Sequence, residues 1–368
     1  MKDVKDYNEM AHDMPIIDAP DSIHDSEMSQ RLSLRFSLQS GLYNEISQND
    51  SIHLIQSVDG FLDWFNLTEE LAHQPLGRRL AHASADHETF RLINRNIPPP
   101  SGFFSKKKRL NWLHKDWEER GIGSLKEISE GNLQVSKQVQ SAMAGGQAAG
   151  AWEFLTSKRY RFRWEQVDAS KTNIILDHDP RMAQPPKNIM PIWKEKNTQS
   201  NEGFVDVDTH PNGWQFRGNR TFLLARDLIL RFENEILPHI ERTFDDGLVI
   251  FNGLDDPSRE KVWNIFARAQ MQSYLIGDDH VLIDEVERWE EIVGFRLTPT
   301  GMGGLIEVSE FDQHGGVKLI FEQVYHPAFV LGMLMGFWQR AYGRDCRGEW
   351  VCEGVNQAFI ICGRHILA

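Results

Sequence analysis

The chain has 368 residues, with 40 Lys and Arg against 53 Asp and Glu, and a formal net charge of −13. This balance argues against a general nucleic-acid binder, because phosphate affinity needs a concentrated positive surface. No apolar run reaches the roughly 18 residues of a membrane span, Met1–Asp6 lacks the apolar core of a cleavable leader, and all three cysteines fall within Cys346–Cys362, too few for a disulfide framework. The expectation is a cytoplasmic protein without membrane insertion.

In chain order, residues 1–27 are acidic and polar and read as an N-terminal extension. Residues 28–178 form a first unit. Within it, Pro98-Pro99-Pro100 marks a loop, and the basic run Lys106-Lys107-Lys108-Arg109 reads as part of the same solvated loop. Gly121-Ile122-Gly123 is too short for a phosphate cradle and precedes a strand. Gln138 to Thr156 mixes small and large apolar residues and predicts a mostly buried helix. Tyr160–Trp164 and Asn173–Leu176 then pair as a hairpin. Residues 179–213, with Pro180, Pro185, Pro186 and Pro191 and a polar run, read as a linker.

The second unit spans 214–368. Leu224, Leu228, Leu230, Phe232, Ile236 and Ile240 recur at helical spacing across Thr221–Thr243. Pro257 opens a further helix, a first-turn position that suits proline. Leu305–Phe311 and Val317–Phe321 alternate about a glycine turn, the signature of a hairpin. Pro327–Tyr342 matches the earlier glycine-bearing helix, and Cys346–Cys352 with Phe359–Cys362 closes the unit as another hairpin.

The two units repeat each other. Gly121-Ile122-Gly123-Ser124-Leu125-Lys126-Glu127-Ile128-Ser129-Glu130 recurs as Gly301-Met302-Gly303-Gly304-Leu305-Ile306-Glu307-Val308-Ser309-Glu310, six of ten positions being identical. Ala142 through Ile175 aligns without a gap to Ala328 through Ile361. Trp117-Glu118-Glu119 aligns with Trp289-Glu290-Glu291, and Phe65-Asn66 with Phe251-Asn252. Such a repeat determines architecture: an α/β (α+β) protein of two tandem units, each an antiparallel sheet packed with helices. Residues that both copies keep read as scaffold, and residues that one copy alone carries are candidates for function.

Gly146 and Gly150 lie four apart on one helix face, as do Gly332 and Gly336. Glycine inside a helix costs up to ~1 kcal/mol against alanine, so that face must meet something closely, either neighbouring backbone or a ligand. With Phe329 and Trp338 these glycines form the candidate ligand-binding set. The chain's 11 Trp and 21 Phe suit an apolar pocket as well as a core. The catalytic candidates are His82, His87 and His326, none duplicated between the copies. The same three are the plausible axial ligands of a haem. Nucleotide, serine-hydrolase and zinc-protease signatures are absent from the sequence.

The carrying residues Leu305–Glu310, His326-Pro327, Gly332-x-x-x-Gly336, Gly343, Glu349-x-x-Cys352 and Gly354 give the end of the second unit a resemblance to the 4-vinyl reductase domain family. The end of the first unit is similar more weakly. The resemblance implies an apolar ligand pocket and a tendency to dimerise, which a tandem copy could satisfy as an intrachain pseudo-dimer or as a homodimer. It also implies a structural zinc in aromatic-sensing members, for which Glu349 and Cys352 match two ligand positions. Ala358 stands where a further cysteine is expected, so three small buried thiols are the preferred reading, with Cys346 and Cys362 the only substitutes.

The expected function is binding of an apolar, aromatic or tetrapyrrole-like molecule as sensor or carrier, with output through a protein partner or delivery of the ligand. The alternatives are a biosynthetic enzyme or accessory factor with its site in one unit, and an interaction scaffold.

Overall fold

In the computed structural model, residues 23–47, 51–95, 105–180, 188–195 and 203–364 are described. The triproline loop lies outside them. The first unit runs α1 (Ser26–Arg35), β1 (Phe36–Gln39), β2 (Leu42–Glu45), β3 (Ile52–Ser57), α2 (Val58–Ala72), α3 (Gly77–Ile93), α4 (Ser105–Arg120), β4 (Ser124–Ser129), β5 (Asn132–Ser136), α5 (Ser141–Thr156), β6 (Tyr160–Asp168) and β7 (Lys171–His178). The second runs β8 (Asp208–His210), β9 (Gly213–Phe216), β10 (Asn219–Ala225), α6 (Arg226–Ile236), β11 (Val249–Asn252), α7 (Pro257–Ile276), α8 (Arg288–Arg296), β12 (Gly303–Asp312), β13 (Gly316–Val324), α9 (Pro327–Tyr342), β14 (Cys346–Glu353) and β15 (Asn356–Gly363). Apart from α1 and β11, the same order of elements occurs twice.

The chain is a mixed α/β protein with antiparallel sheets packed by helices, as expected. Among the described residues three sheets carry it. The four-stranded sheet has the order β4-β5-β7-β6, and its counterpart has β12-β13-β15-β14 with β11 added at the far edge. β11 pairs with β14 in parallel, an exception to the antiparallel expectation. The third sheet, of order β1-β2-β3-β10-β9-β8, belongs to both units and reads the same from either end. Its central pair, β3 with β10, is antiparallel. Counting back three residues from the first residue of α2 and of α6 gives Ile55 and Leu223, and these two are partners in the ladder.

The twice-occurring glycine motif locks this join. A Cβ on Gly121, at φ +69°, would sit 2.6 Å from the carbonyl oxygen of Thr221. A Cβ on Gly301, at φ +90°, would sit 2.9 Å from that of His53. Thr221 and His53 each stand five residues before the helix that follows, so the two contacts are equivalent and exchanged. Only glycine tolerates both the positive φ and the approach.

Several local expectations are corrected. The units are not helical first: only α1 comes before the strands, and a three-stranded meander, too short to show a clear period of two, precedes α2 in the first unit and α6 in the second. The helix expected from Thr221 starts at Arg226, because Thr221–Ala225 are the buried end of β10. Lys107, Lys108 and Arg109 lie in α4 rather than in a loop. Phe65 and Phe251 are not structural equivalents, since one lies in α2 and the other in β11. The 179–213 stretch contains β8 and the buried side chains of Trp193, Phe204 and Val207.

One large apolar core joins α2, α3, α5, α6, α7 and α9 across both units, with the cross-unit packings α2 on α7 and α3 on α6. A smaller core covers the other face of the shared sheet, where Leu32, Phe36 and Tyr43 meet Phe204, Val207 and Trp214. Among the described residues no helix is long and apolar enough to cross a membrane.

Candidate functional site

The glycine faces are closed by helices. A Cβ on Gly146 would lie 2.0 Å from the carbonyl oxygen of Ala81 in α3, and one on Gly332 would lie 2.3 Å from that of Ala267 in α7. Gly150 and Gly336 press on Ala85 and Tyr274 of the same helices. The four glycines therefore seat helix on helix and leave no room there for a ligand, which corrects their place in the ligand-binding set. Trp338 is also core: its indole N–H donates to the carbonyl of Gly315 at 2.8 Å, and its ring lies 4.6 Å from that of Tyr342.

His326 and Phe329 stand elsewhere, in a cluster of rings. His326 is fully buried and caps α9. The Ala328 N–H donates to its Nδ1 at 3.1 Å, so Nε2 carries the ring proton and donates to Glu233 Oε2 at 3.1 Å. Burial keeps the ring neutral by lowering its pKa, against the opposing pull of Glu233. The other Glu233 oxygen is held by Arg259. Around the imidazole stand Trp263 at 5.0 Å, Trp193 at 5.1 Å, Phe329 at 5.6 Å and Phe266 at 6.0 Å between ring centroids. Trp64 of α2 completes the inner wall, 4.9 Å from Phe329 and 5.1 Å from Phe266.

Two features separate this aromatic box from ordinary core. First, Trp263 Nε1 and Trp64 Nε1 are buried with no hydrogen-bond partner among the described residues. Buried indole N–H groups almost always find one. Second, apart from Trp64 of α2 and Trp193, the rings of the box belong to the second unit. In the gapless register set by α3 and α7, Trp263, Phe266, His326 and Phe329 correspond to Gly77, Leu80, Gln140 and Met143. Gln140 still caps its helix, accepting from the Met143 N–H at 2.8 Å, so capping is shared and the ring cluster is not.

The box is closed from outside by residues 188–195, which have no regular secondary structure. Met190 and Ile192 are exposed, whereas Trp193 is buried between Trp263 and His326. Trp193 Nε1 donates to Glu195 Oε1 at 3.1 Å, and Arg226, the first residue of α6, grips both Glu195 oxygens, Nη2 to Oε2 at 3.0 Å. Gln357 donates to the Lys194 carbonyl at 2.8 Å and accepts from Trp350 Nε1 at 3.0 Å.

The other two histidines differ. His82 is exposed, its ring 5.7 Å from that of Phe162. His87 is buried, its Nδ1 2.7 Å from Asp227 Oδ2 on α6. Thus α6 bears the carboxylates of both buried candidate histidines, Asp227 for His87 and Glu233 for His326. Neither these carboxylates nor Arg226 and Arg259 stood out in the sequence; the available signal was ionisable residues interleaved with the apolar stripe of α6.

The first unit has its own unshared feature, a buried ion cluster. Glu88 and Arg91 of α3 and Arg95 just beyond it meet Asp116 and Arg120 of α4, Arg35 of α1 and Glu45 of β2, with pairs at 2.6–3.7 Å. The Trp117 N–H donates to Glu88 at 3.0 Å. Near the other end of α5, Arg159 stands between Asp86 and Glu153, and burial raises the pKa of both carboxyls despite the arginine.

Cys352 and Glu349 sit three apart in the unbroken β14–β15 ladder and so project from opposite faces of the sheet. Cys352 packs on the core, and Glu349 accepts from Asn252 on β11. They cannot share one ion, which corrects the zinc pairing. Among the described residues no group of three His, Cys, Asp or Glu is placed to hold a metal. A separate open groove of about 440 Å³ between the β1–β2 turn and β12 is lined by Glu290, Glu307 and Glu322 and touches none of the histidines.

Comparison with known protein families, curated proteins and solved structures returned no match.

Proposed function

We propose that the chain binds an aromatic small molecule in the aromatic box of the second unit and serves as its sensor or carrier. Trp263 carries this reading: a fully buried indole, at the centre of a ring cluster that the first unit does not repeat, whose N–H meets no acceptor among the described residues. An unsatisfied buried donor costs about 1–3 kcal/mol, and a ligand oxygen would remove that cost. In this reading the units are 4-vinyl reductase-like domains folded on each other as an intrachain pseudo-dimer. The palindromic order of the shared sheet and the exchanged seats of Gly121 and Gly301 support the pseudo-dimer. Such a protein would hand on its ligand or signal through a protein partner. The test is mass spectrometry of small molecules released from purified protein, with Trp fluorescence quenching on re-addition. The expected result is an aromatic molecule near stoichiometry and a smaller quench in Trp263→Phe. Failure to recover or rebind any apolar aromatic molecule would end the proposal.

A catalytic alternative rests on Asp86 and Glu153. Carboxyls whose pKa burial has raised suit proton transfer. Turnover abolished by Glu153→Gln, with folding intact, would favour an enzyme over a binding protein.

A further inference from the structure

We infer that Trp193 and Glu195 together occupy the place of an aromatic carboxylate ligand, and that the 188–195 segment is an internal competitor which such a ligand displaces. The inference rests on the aromatic-box reading above and specifies its ligand class. The arrangement has two halves. A planar bicyclic ring lies edge-on to Trp263 and His326, at 5.8 and 5.1 Å between centroids, with the Arg226 guanidinium 5.7 Å from it. A carboxylate two residues further on takes both terminal nitrogens of the same arginine. Planar two-point recognition of a carboxylate is what guanidinium geometry favours, and the first turn of a helix, where Arg226 sits, favours negative charge.

The segment is anchored lightly for something that fills a core site. It has no ladder or helix bonds of its own, and both Met190 and Ile192 face solvent at 63% and 50% exposure. Its polar and ring hold on the second unit is one ring, one carboxylate and the carbonyl of Lys194, with Ile189 half-buried against the core. Removing it would leave a slot lined by Trp263 and His326, with Arg226 beside it; Trp263, whose N–H has no partner among the described residues, is backed by Phe251 and Trp350. A ring with an acidic side arm restores both interactions. A neutral ring restores only one and leaves Arg226, itself buried, without its counter-charge.

The experiment titrates the full chain with indole-3-acetate and with uncharged indole by calorimetry. In Trp193→Ala/Glu195→Ala, indole-3-acetate should bind at least tenfold more tightly than to the unaltered chain, and at least tenfold more tightly than indole. Adding Arg226→Gln should erase the preference between the two probes. Glu195→Gln, which keeps the ring in place, should give a smaller gain of about threefold and guards against loss of fold in the double variant. In the unaltered chain, indole-3-acetate should speed hydrogen exchange across 188–195. If the variants bind indole and indole-3-acetate equally, the carboxylate assignment falls while aromatic binding stands. If neither variant gains affinity for either probe although aromatic molecules are recovered from the unaltered chain, the competitor role falls and the proposed function survives.

Discussion

His87 of α3 and Asp227 of α6 meet across the two units, Nδ1 to Oδ2 at 2.7 Å, and Arg231 Nε reaches the same oxygen at 2.7 Å. Burial would raise the Asp227 pKa, but the hydrogen bond and charge of His87, then Arg231, outweigh it and hold the carboxyl below its ordinary range. Removing one partner leaves a charge buried without its counterpart. Asp227→Ala should therefore cost about 3–5 kcal/mol. A double-mutant cycle with His87→Ala should return a coupling of about 0.5–3 kcal/mol, measured by urea unfolding. Purely additive losses would mean that the pair does not join the units.

Gly332→Ala would place a methyl 2.3 Å from the Ala267 carbonyl, where backbone must move. Overpacking of this kind costs about 1–3 kcal/mol, occasionally more. Gly294 in α8 is the control, since a Cβ there meets nothing within 4 Å. Gly294→Ala should stabilise by up to about 1 kcal/mol. Thermal unfolding should move the two variants in opposite directions.

Glu88, Asp116 and Glu45 all titrate below the ordinary carboxylate range. Burial opposes this, but Arg120 and Arg91 outweigh it at Glu88, Arg91 and Arg35 at Asp116, and Arg35 at Glu45. Folded pKa values depressed below unfolded ones of 3.8–4.5 mean that the stabilisation is full above that range and is lost as pH falls through the folded values. Acid unfolding should thus steepen below about pH 4. Glu88→Gln should destabilise by about 3–5 kcal/mol at neutral pH and weaken the acid dependence.

His53 gives a separate pH window. Burial pushes its imidazole from 6.5 down to about 3, although Glu45 pulls the other way. Its Nδ1 bonds to the Ser51 carbonyl at 3.1 Å, and its buried Nε2 has no partner among the described residues. The unfolded ring takes a proton below 6.5 and the folded one resists, so stability is full above 6.5 and declines toward about pH 3. The slope is about 1.4 kcal/mol per pH unit well below the unfolded pKa. His53→Leu should remove that slope between pH 6 and 5 in denaturant titrations.

Gln140 performs in α5 the capping that His326 performs in α9. His326→Gln should consequently keep the cap and a donor for Glu233, losing about 1 kcal/mol. His326→Leu removes both and strands Glu233 beside Arg259, with a loss of about 3 kcal/mol or more. Equal losses from the two substitutions would show that ring packing, not hydrogen bonding, is what His326 supplies.

Much of the outer part of each unit was legible. The β12–β13 hairpin alternates, α7 announces itself with Pro257, and the α9 bounds coincide with the apolar run from Pro327 to Tyr342. The glycine pairs of α5 and α9 signalled a close approach, though not that its partner was a helix. What was not legible had long-range causes. β10 reads as the start of a helix because Leu224 continues the spacing of α6; only pairing with β3 makes it a strand. In α3, Ser84, His87, Glu88 and Arg91 are buried, against the usual reading of such residues as a solvated face. The three ionisable ones are buried because α4 and α6 bring counter-charges from far along the chain.

By itself the sequence determined that the protein is built twice over from one α/β pattern, since caps, turn glycines and apolar periods act over a few residues and are written locally. Only the tertiary structure decided how the copies meet, with Ile55 on Leu223, and which unit carries the aromatic box. It also placed Trp193 of an apparent linker against His326. Ring contacts and buried ion pairs between residues this far apart follow no sequence period. Their geometry exists only once the shared sheet has formed and the helices have packed on it.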